Sequence, residues 1–446
     1  MEEGGTGSRV LVIGGGVIGL CTAYYALRSG KRVVVLERGG PGGDNCSAEN
    51  AGMVVPSHFV PLAAPGMISL GLRWMLNPQS PFAVRLRADR GLLRWAFLFW
   101  RHANRGHVAA SRELLRDLNL RSRELFVELA GDTEFGLVER GLVMLCAGAK
   151  AFDQEAHLAE AAAELGLEAE VCDANRLAEL DPDVDMAAAG GVWFKQDCHL
   201  DPTRFLAGLR RRIADLGGEI RYNSSVDGFA REGGAIVAAK VIERDSVRGG
   251  ERDDAGGRGD RFDVRADQLV IAGGAWSPEL AHGLGLTLPM AAGKGYSMTL
   301  PDPVQLPRLC SILTEARVAV TPMAGRLRFA GTMEIGGNDL SINERRITGI
   351  VKSIPRYFPR FEAGHFEGLD RWAGLRPCSP DGLPYLGPAP AAGNNVFVAT
   401  GHSMMGLSLA PVTGHLMAGL LCGNQPEIAI AKLAPHRFQK GSVNKS

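Results

Sequence analysis

The stretch RVLVIGGGVIGLCTAYYAL, residues 9–27, decides the fold of this chain. Residues 10–13 are apolar and mostly β-branched, which predicts a short strand buried on both faces. Four glycines follow within residues 14–19, and residues 20–27 have the pattern of a helix. A second buried strand is predicted at 33–36. The order strand, helix, strand predicts a βαβ unit of a parallel sheet.

Three of the glycines have the spacing of a dinucleotide-binding loop, G-x-G-x-x-G. Gly14 allows a tight turn, Gly16 lets the backbone approach a pyrophosphate, and Gly19 lets the helix pack against the strand. The helix N-terminus supplies N–H groups to the phosphates. Glu37 stands at the end of the second strand, 18 residues after Gly19, and is expected to accept hydrogen bonds from an adenosine ribose. A purely structural role for the glycines is the alternative.

Bulk composition excludes several classes of protein. The chain has 446 residues, enough for two domains. Its 49 basic and 49 acidic residues cancel, so charge gives no reason to expect a nucleic-acid partner. Eight scattered cysteines without a C-x-x-C pair indicate reduced thiols and no metal site, and residues 1–8 lack the pattern of a signal peptide. We therefore expect a cytoplasmic protein without a metal.

Two later segments are predicted to extend the parallel sheet. Residues 269–272 form a buried apolar run that ends in glycines, and residues 394–421 predict a strand, a tight turn and a long apolar helix. More than 200 residues separate the first βαβ unit from the next strand of this type. We therefore expect a discontinuous nucleotide-binding domain, with a second domain built from the intervening segments.

The intervening segments have other patterns. They predict helices at 108–130 and 152–165, a strand at 141–146, and a helix that starts at Pro202 with Asp201 as its cap. A meander of strands is expected after that helix. The Gly- and charge-rich segment 243–261 is predicted to be a solvated, mobile loop within the meander.

The segment RGLLRWAFLFWRHANR, residues 90–105, has a mainly apolar stretch flanked by arginines. The apolar stretch, 92–100, is too short to span a bilayer. Aromatic residues flanked by arginines suit a membrane surface, where a quinone could be reached. A run that is apolar on all sides instead favours a buried helix. We expect a buried helix of the second domain and keep peripheral membrane contact through residues 90–105 as the alternative.

Six segments together resemble those of one enzyme family. They are the glycine loop, NCSAENAGM (45–53), VIAGGAWS (270–277), KGYS (294–297), GLRPCSPDGLPYLG (374–387) and TGHSMMGLSLAPVTG (400–414). In their order and spacing they resemble the FAD-dependent amine and D-amino-acid oxidoreductases, a family that includes D-amino-acid dehydrogenase, glycine oxidase and sarcosine oxidase. The KGYS and RPCSPDGLP segments are most similar to the D-amino-acid dehydrogenase branch.

The resemblance implies an α/β fold of two domains. One is a Rossmann-like FAD-binding domain, and the other is a discontinuous α+β substrate domain built on an antiparallel sheet. The expected boundaries assign residues 1–57, 195–286 and 374–446 to the FAD-binding domain. Residues 58–194 and 287–373 are assigned to the substrate or cap domain.

The resemblance also implies that the bound dinucleotide is FAD, held without a covalent bond. In such enzymes residues 50–52 lie along the isoalloxazine ring, and residues 401–408 offer N–H groups and a helix N-terminus to the flavin N1–C2=O edge. Cys46 is close enough in sequence to suggest covalent attachment, but we expect it to pack. The expected cofactor-contacting residues are Gly14, Gly16, Val17, Ile18, Gly19, Glu37, Arg38, Cys46, Ser47, Asn50, Ala51, Gly52, Met53, Val226, Ala272, Gly273, Trp276, Gly401, His402, Gly406, Leu407 and Ser408.

Arg376 in the GLRP motif is the main candidate for binding a substrate carboxylate, because a guanidinium presents a planar fork of donors. Similar enzymes use the arginine of this motif in that way. A structural arginine paired with Asp381 is the alternative. Tyr296 is a candidate for bonding the same carboxylate, and His402 for lining the pocket over the flavin, with structural roles as the alternatives. Glycine oxidases have a tyrosine near the position of Ala319, so they are the weaker analogy.

The activity implied is oxidation of the C–N bond of a D-amino acid, or of a cyclic D-imino acid such as D-proline or hydroxy-D-proline, by hydride transfer to FAD. The imine would hydrolyse to a 2-oxo acid, with ammonia released when the amine is primary. The alternatives are an oxygen-using oxidase of the glycine or sarcosine type and an FAD-carrying subunit of a hetero-oligomeric dehydrogenase. A quinone is the candidate electron acceptor.

Overall fold

The computed structural model describes residues 7–41, 46–75, 77–85, 89–244 and 259–439. The chain divides into two compact units. Unit 1 comprises Met1–Ala48, Leu206–Met290 and Pro377–Ser446, and unit 2 comprises Glu49–Phe205 and Ala291–Arg376. Most of the loop predicted at 243–261 lies outside the described residues.

The described residues contain strands and helices in the following order along the chain. The strands are β1 (Arg9–Ile13), β2 (Arg32–Leu36), β3 (Met53–Val54), β4 (Phe82–Val84), β5 (Leu142–Cys146), β6 (Ala169–Cys172), β7 (Gly190–Phe194), β8 (Cys198–His199), β9 (Glu219–Arg221), β10 (Ser224–Glu232), β11 (Ala235–Glu243), β12 (Asp260–Arg265), β13 (Gln268–Ile271), β14 (Ala291–Leu300), β15 (Cys310–Leu313), β16 (Val318–Met323), β17 (Arg326–Ile335), β18 (Arg371–Cys378), β19 (Tyr385–Pro388) and β20 (Val396–Thr400). The helices are α1 (Val17–Arg28), α2 (Met67–Met75), α3 (Arg90–His102), α4 (Arg105–Asp132), α5 (Ala149–Glu164), α6 (Ala174–Leu180), α7 (Pro202–Asp215), α8 (Ser277–His282), α9 (Glu344–Ser353) and α10 (Ala410–Leu421).

Unit 1 contains a six-stranded sheet of order β19-β20-β13-β1-β2-β9. Four neighbouring pairs are parallel, and only β19 runs antiparallel to its neighbour β20. The apolar runs of β1, β2 and β13 are buried at the centre of this sheet. The predicted βαβ unit and the predicted additional parallel strand at 269–272 are therefore confirmed. The carboxyl ends of the parallel strands share one edge of the sheet.

The glycines after β1 have the packing roles that the motif predicts. Gly14 has φ +117°, and a side chain there would overlap the carbonyl oxygen of Ala272. A Cβ atom on Gly19 would overlap the carbonyl oxygen of Gly14. These contacts close the turn and bring α1 against the strand, because neither position has space for a methyl group.

Other predicted elements are also present in the structure. The predicted helices at 108–130 and 152–165 correspond to α4 and α5, and the predicted meander corresponds to the antiparallel sheet β10-β11-β12. Asp201 caps α7 as expected, since its Oδ1 atom accepts a hydrogen bond from the Thr203 N–H at 2.9 Å.

Unit 2 is built on a nine-stranded sheet of order β18-β14-β17-β16-β15-β5-β7-β6, with β4 paired to β17. The expectation of an antiparallel sheet is only partly correct, because β5 pairs parallel with β15 and β4 pairs parallel with β17. Both parallel pairs join segments far apart in sequence, which allows either direction. One face of the sheet packs on a hydrophobic cluster that includes Tyr296, Val318, Phe329, Ile347 and Phe361.

The predicted domain boundaries differ from the two units at four places. Residues 374–376 were assigned to the FAD-binding domain but belong to unit 2, and residues 287–290 were assigned to the substrate domain but belong to unit 1. Residues 49–57 and 195–205 were assigned to the FAD-binding domain, but they belong to unit 2. The physical reason is the pairing of β3 with β8, in which Met53 lies opposite His199. Two strands of two residues each carry too little periodicity to be recognised in the sequence. Arg376 is likewise the last residue of unit 2.

The expectation that residues 90–105 form a buried helix is wrong. Helix α3 buries Trp95, which is 6% exposed, but it leaves Leu93, Phe97 and Trp100 64%, 56% and 64% exposed. These three residues recur at the spacing of one helix face. No helix among the described residues has the length and hydropathy needed to cross a membrane.

Candidate functional site

The carboxyl edge of the unit 1 sheet collects the residues that the nucleotide motif predicted. The glycine loop follows β1, Glu37 follows β2, Ala272 and Gly273 follow β13, and Gly401 follows β20. They meet because these strands are parallel and neighbouring. Open parallel sheets bind nucleotides at this edge, so the topology supports the predicted site.

The N-terminus of α1 presents backbone donors at this edge. Gly16 precedes the helix and has no side chain to cap it. The hydroxyl of Ser47 instead accepts a hydrogen bond from the Val17 N–H at 3.0 Å. A hydroxyl acceptor at this helix end marks the position that an anionic phosphate oxygen can take. Ser47 therefore lies at the N-terminus of α1, and the half-buried Cys46 precedes it.

Glu37 is anchored by backbone donors. Its two carboxylate oxygens accept hydrogen bonds from the N–H groups of Gly15 and Gly39, both at 2.7 Å. These bonds orient the carboxylate at the end of β2, next to the glycine loop. A carboxylate oxygen can accept more than one hydrogen bond, so both oxygens retain capacity for ribose hydroxyls.

Replacing Glu37 with Gln should weaken FAD binding by about 10- to 100-fold. The amide nitrogen cannot accept the hydrogen bond from Gly15 or Gly39, and charge-assisted bonds to ribose hydroxyls would lose about 1.5–3 kcal/mol each. Quenching of protein fluorescence during titration of the apoprotein with FAD measures the change. Wild-type affinity in the Glu37→Gln protein would show that the acid does not reach the ribose.

Arg38 and Trp276, both predicted to contact the cofactor, are stacked on each other. The guanidinium carbon of Arg38 lies 3.4 Å from the centre of the Trp276 ring. Such a flat cation–aromatic pair at the nucleotide edge can serve as a surface for an adenine ring. Val226, also predicted, lies on β10, whose first residue, Ser224, bonds to the Glu37 carbonyl at 2.9 Å.

The turn at 401–408 differs from its prediction. A 3₁₀ turn spans Ser403–Met405, and the long helix starts only at Ala410, so the helix N-terminus does not lie within 401–408. The imidazole of His402 is buried, and its Nε2 atom lies 2.9 Å from the Thr413 hydroxyl. Burial lowers the pKa of His402 to about 3. The neutral ring thus packs inside unit 1, as the structural alternative predicts, and the place of His402 over the flavin stays a prediction.

Within unit 2, the segment Asn50–Ala51–Gly52 is held in one conformation. The Asn50 side-chain oxygen accepts the Gly52 N–H at 2.9 Å. Gly52 has φ +76°, and a side chain there would overlap the Leu200 carbonyl oxygen. Met53 then enters β3. The segment is therefore a restrained backbone without bulky side chains, and its place along the isoalloxazine ring stays a prediction.

The Arg376 guanidinium lies against Gly295, a residue that has no side chain. Its guanidinium occupies the space where a Cβ atom of Gly295 would be, and its Nη1 atom donates to the Thr332 carbonyl at 2.7 Å. Asp381, its alternative partner, receives two hydrogen bonds from Arg437, at 2.8 and 2.9 Å. The glycine of the KGYS motif thus gives room to the arginine of the GLRP motif.

Tyr296 does not share a face of the sheet with Arg376. Its ring is 1% exposed and packs in the hydrophobic cluster, with Lys294 5.8 Å from the ring centre. Successive side chains of a strand point to opposite faces, so Tyr296 lies across the sheet from the Gly295 side. Burial raises the pKa of Tyr296 to about 12. This position agrees with the structural alternative for Tyr296, and its contact with a substrate carboxylate stays a prediction.

Sequence reasoning missed several residues on the face of Arg376. The ring of Trp372 covers Gly374, Thr332 supplies the carbonyl that Arg376 contacts, and Arg328 binds the Asn50 carbonyl at 2.8 Å. In the sequence, the alternation of Trp372, Gly374 and Arg376 was the pattern that could have indicated that these three residues share one face of a strand. Nothing in the sequence pointed to Arg328 or Thr332, which are far from residue 50 and residue 376 along the chain.

The unit 1 residues fit the ADP part of an FAD molecule. The glycine loop and the Ser47 hydroxyl would hold the pyrophosphate, and Glu37 the ribose. The stacked Arg38 and Trp276 side chains would contact the adenine.

Comparison with known proteins agrees with this fit. Residues 9–420 match the family described as FAD dependent oxidoreductase. The chain is 31% identical over 438 residues to the D-amino acid dehydrogenase of Granulibacter bethesdensis, covering 96% of this chain and 99% of that protein.

Two solved structures have the same fold. Glycine oxidase from Geobacillus kaustophilus matches with a TM-score of 0.73 and 23% identity, covering 96% of this chain and 99% of that chain. L-α-glycerophosphate oxidase from Mycoplasma pneumoniae, determined with FAD bound, matches with a TM-score of 0.67 and 16% identity, covering 95% of each chain. The overlap extends over both units in each case.

Proposed function

The chain belongs to the family of FAD-dependent oxidoreductases, and we propose that it oxidises the C–N bond of a D-amino acid or of a cyclic D-imino acid such as D-proline or hydroxy-D-proline. The observation that carries this proposal is the Arg376 guanidinium, held over Gly295 on one face of the unit 2 sheet. A planar fork of donors matches a carboxylate. The relative with 31% identity, named a D-amino acid dehydrogenase, supports the same substrate class.

Small side chains on this face favour a substrate with a side chain over glycine. Ala319 lies opposite Ala330, which lies opposite Ser297, two residues from Gly295. These residues share the Gly295 face, since their neighbours Val318 and Phe329 point into the hydrophobic cluster. Ala319 leaves space where glycine oxidases are expected to have a tyrosine. A substituent on the substrate α-carbon could use that space.

The chain's own residues would act by binding and orientation. FAD, when bound, supplies the acceptor for a hydride from the substrate α-carbon. Arg376 would bind the carboxylate and orient the α-carbon. The neutral amine lone pair forms the C=N bond as the hydride leaves, so no protein base is required. Water then hydrolyses the imine to a 2-oxo acid, releasing ammonia from a primary amine. The burial of His402 and Tyr296 agrees with such a reaction.

Two alternatives lead to different expectations. An oxidase of the glycine or sarcosine type would use oxygen and would prefer substrates without an α-substituent. An FAD-carrying subunit of a hetero-oligomeric dehydrogenase would have no need for a carboxylate-binding arginine, so Arg376 on its glycine argues against it.

Anaerobic mixing of the isolated, FAD-loaded chain with amino acids tests the proposal. The panel comprises D-amino acids, D-proline, cis-4-hydroxy-D-proline, glycine, sarcosine and the L-enantiomers. We expect loss of the visible flavin absorbance with D-amino or D-imino acids. Absorbance loss only with glycine or sarcosine would support the oxidase. A chain that reacts with none of them would fit the electron-carrying subunit.

We also propose that the electron acceptor is a quinone reached at a membrane surface. The exposed face of α3 consists of Leu93, Phe97 and Trp100, and arginines at 90, 94, 101 and 105 flank it. Apolar side chains beside arginines match the interface of an anionic bilayer. A ubiquinone analogue should then support turnover better than oxygen, with little peroxide formed.

Substituting Leu93, Phe97 and Trp100 together by Ser should reduce binding to anionic vesicles at least about 10-fold. Each large apolar side chain contributes roughly 1.5–3 kcal/mol when it leaves water. Co-sedimentation with phosphatidylglycerol-containing vesicles measures the change. Val127→Ser is the matched control, because Val127 is an exposed apolar residue on α4. Equal vesicle binding by the triple variant and wild type would contradict the membrane contact.

A further inference from the structure

Arg328 is a buried cation in unit 2 that the reaction proposed above does not use. Its side chain is 3% exposed. Its Nε atom donates to the Thr299 hydroxyl at 3.0 Å, its Nη1 atom to the Asn50 carbonyl at 2.8 Å, and its Nη2 atom lies 2.9 Å from the Glu49 carboxylate. Burying a guanidinium costs free energy unless such partners compensate. Two of its partners, Glu49 and Asn50, stand directly before Ala51.

The contacts of Arg328 restrain the N-terminal end of the segment Asn50–Ala51–Gly52. Gly52 is fixed from the other side, since its N–H bonds to the Asn50 side chain and its carbonyl accepts the Leu200 N–H at 2.8 Å. Ala51 therefore lies between two restrained residues. Removal of Arg328 would release the segment at its N-terminal end only, while β3 would still hold it beyond Gly52.

Strand β17 also carries the contact of Arg376. Arg328 and Thr332 both belong to β17, and Thr332 supplies the carbonyl that Arg376 contacts. The same strand thus restrains the segment before Ala51 and the guanidinium assigned to the carboxylate. Residues 328–331 pair regularly with β14, and a register shift follows at Thr332, which has φ +70°. The two contacts are thus four residues apart on β17, most of that length regular strand with about 3.3 Å of rise per residue.

We propose that Arg328 is a positioning residue that holds Asn50–Ala51–Gly52 in register with Arg376 through β17. The proposal rests on the assignment of residues 50–52 to the flavin ring and of Arg376 to the carboxylate. Arg328 touches neither group itself. It restricts the backbone on which the ring would lie, which sets both the affinity for FAD and the environment of the bound ring.

Two variants of Arg328 test the proposal against a matched control. Arg328→Gln removes the ion pair with Glu49 and the fork of donors, whereas Arg328→Lys keeps the charge. Arg326→Gln is the control, because Arg326 also lies on β17 and pairs with an acid, Asp201, at 2.9 Å. We expect Arg328→Gln to weaken FAD binding about 10-fold and to change the visible circular dichroism of the bound flavin. Arg328→Lys should restore part of both properties, and Arg326→Gln should change neither.

Several outcomes would overturn the proposal. One is that folded Arg328→Gln keeps wild-type FAD affinity and wild-type flavin dichroism. Another is that Arg326→Gln loses as much FAD affinity as Arg328→Gln does. If Arg328→Gln does not fold, Glu49→Gln tests the same ion pair from the more exposed partner, and unchanged flavin dichroism would count against the proposal. These measurements need no substrate, so failure of the proposed D-amino-acid oxidation would leave them interpretable.

Discussion

Replacement of Arg376 by Ala is expected to slow reduction of the bound flavin by a D-amino acid about 100-fold or more. Two charge-assisted hydrogen bonds to the carboxylate are worth about 1.5–3 kcal/mol each, and each 1.4 kcal/mol corresponds to tenfold. Because the carboxylate orients the α-carbon, both the rate and the apparent affinity should decrease. Arg376→Lys keeps the charge and loses the fork, so an intermediate effect is expected. Anaerobic stopped-flow absorbance measures the rates.

Two controls make the Arg376 result specific. Flavin content must match wild type, so that the rates compare equally loaded proteins. An amine with the same carbon skeleton but without the carboxylate should react at the same rate in all three proteins. Wild-type reduction of flavin-replete Arg376→Ala by a D-amino acid would leave this arginine a structural one.

The second large effect is expected from a residue that contacts no substrate. Gly295→Ala would place a methyl group where the Arg376 guanidinium lies, so the guanidinium must move. The flexible arginine side chain can yield, so the fold should retain its stability. We expect flavin reduction by a D-amino acid to slow about 100-fold, close to the effect of Arg376→Ala, with the melting temperature and flavin content unchanged.

A double-mutant cycle distinguishes displacement of Arg376 from a general effect on the strand. If Gly295→Ala acts only through Arg376, the combined variant should be no slower than Arg376→Ala alone. Gly364→Ala is the matched control, because a Cβ atom at Gly364 would have no neighbour within 4 Å. Additive effects in the combined variant, or a wild-type rate in Gly295→Ala, would show that the glycine does not serve the arginine.

The nucleotide half of the site was predictable because its signals are local. The glycines at 14, 16 and 19 act on a turn and a helix that they themselves belong to, and Glu37 follows the next strand. Parallel pairing of such strands then places their ends at one edge. The predicted helix N-terminus within 401–408 failed, because Ser403–Met405 forms a 3₁₀ turn instead.

The sequence could not decide the roles of Tyr296 and His402, because it does not state in which direction their side chains point. The KGYS motif predicted a functional role for β14, but the sequence does not state which face of β14 reaches the hydrophobic cluster. Both faces of this strand are buried, so apolar and polar residues do not alternate clearly. The structure places Gly295 and the Arg376 guanidinium on the face opposite the cluster. It also turns the His402 ring toward Thr413.

The sequence by itself determined the βαβ unit, the FAD-dependent family and the identity of Arg376 as the carboxylate candidate. The βαβ unit follows from periodicity, whereas the family and the Arg376 candidate follow from the resemblance of six short motifs to those of known enzymes. Only the tertiary structure brought Gly295 beneath Arg376 and Arg328 onto Asn50, and only it exposed the apolar face of α3. Those contacts join residues tens to hundreds of positions apart. Their geometry is decided by strand order and burial, which no local pattern records.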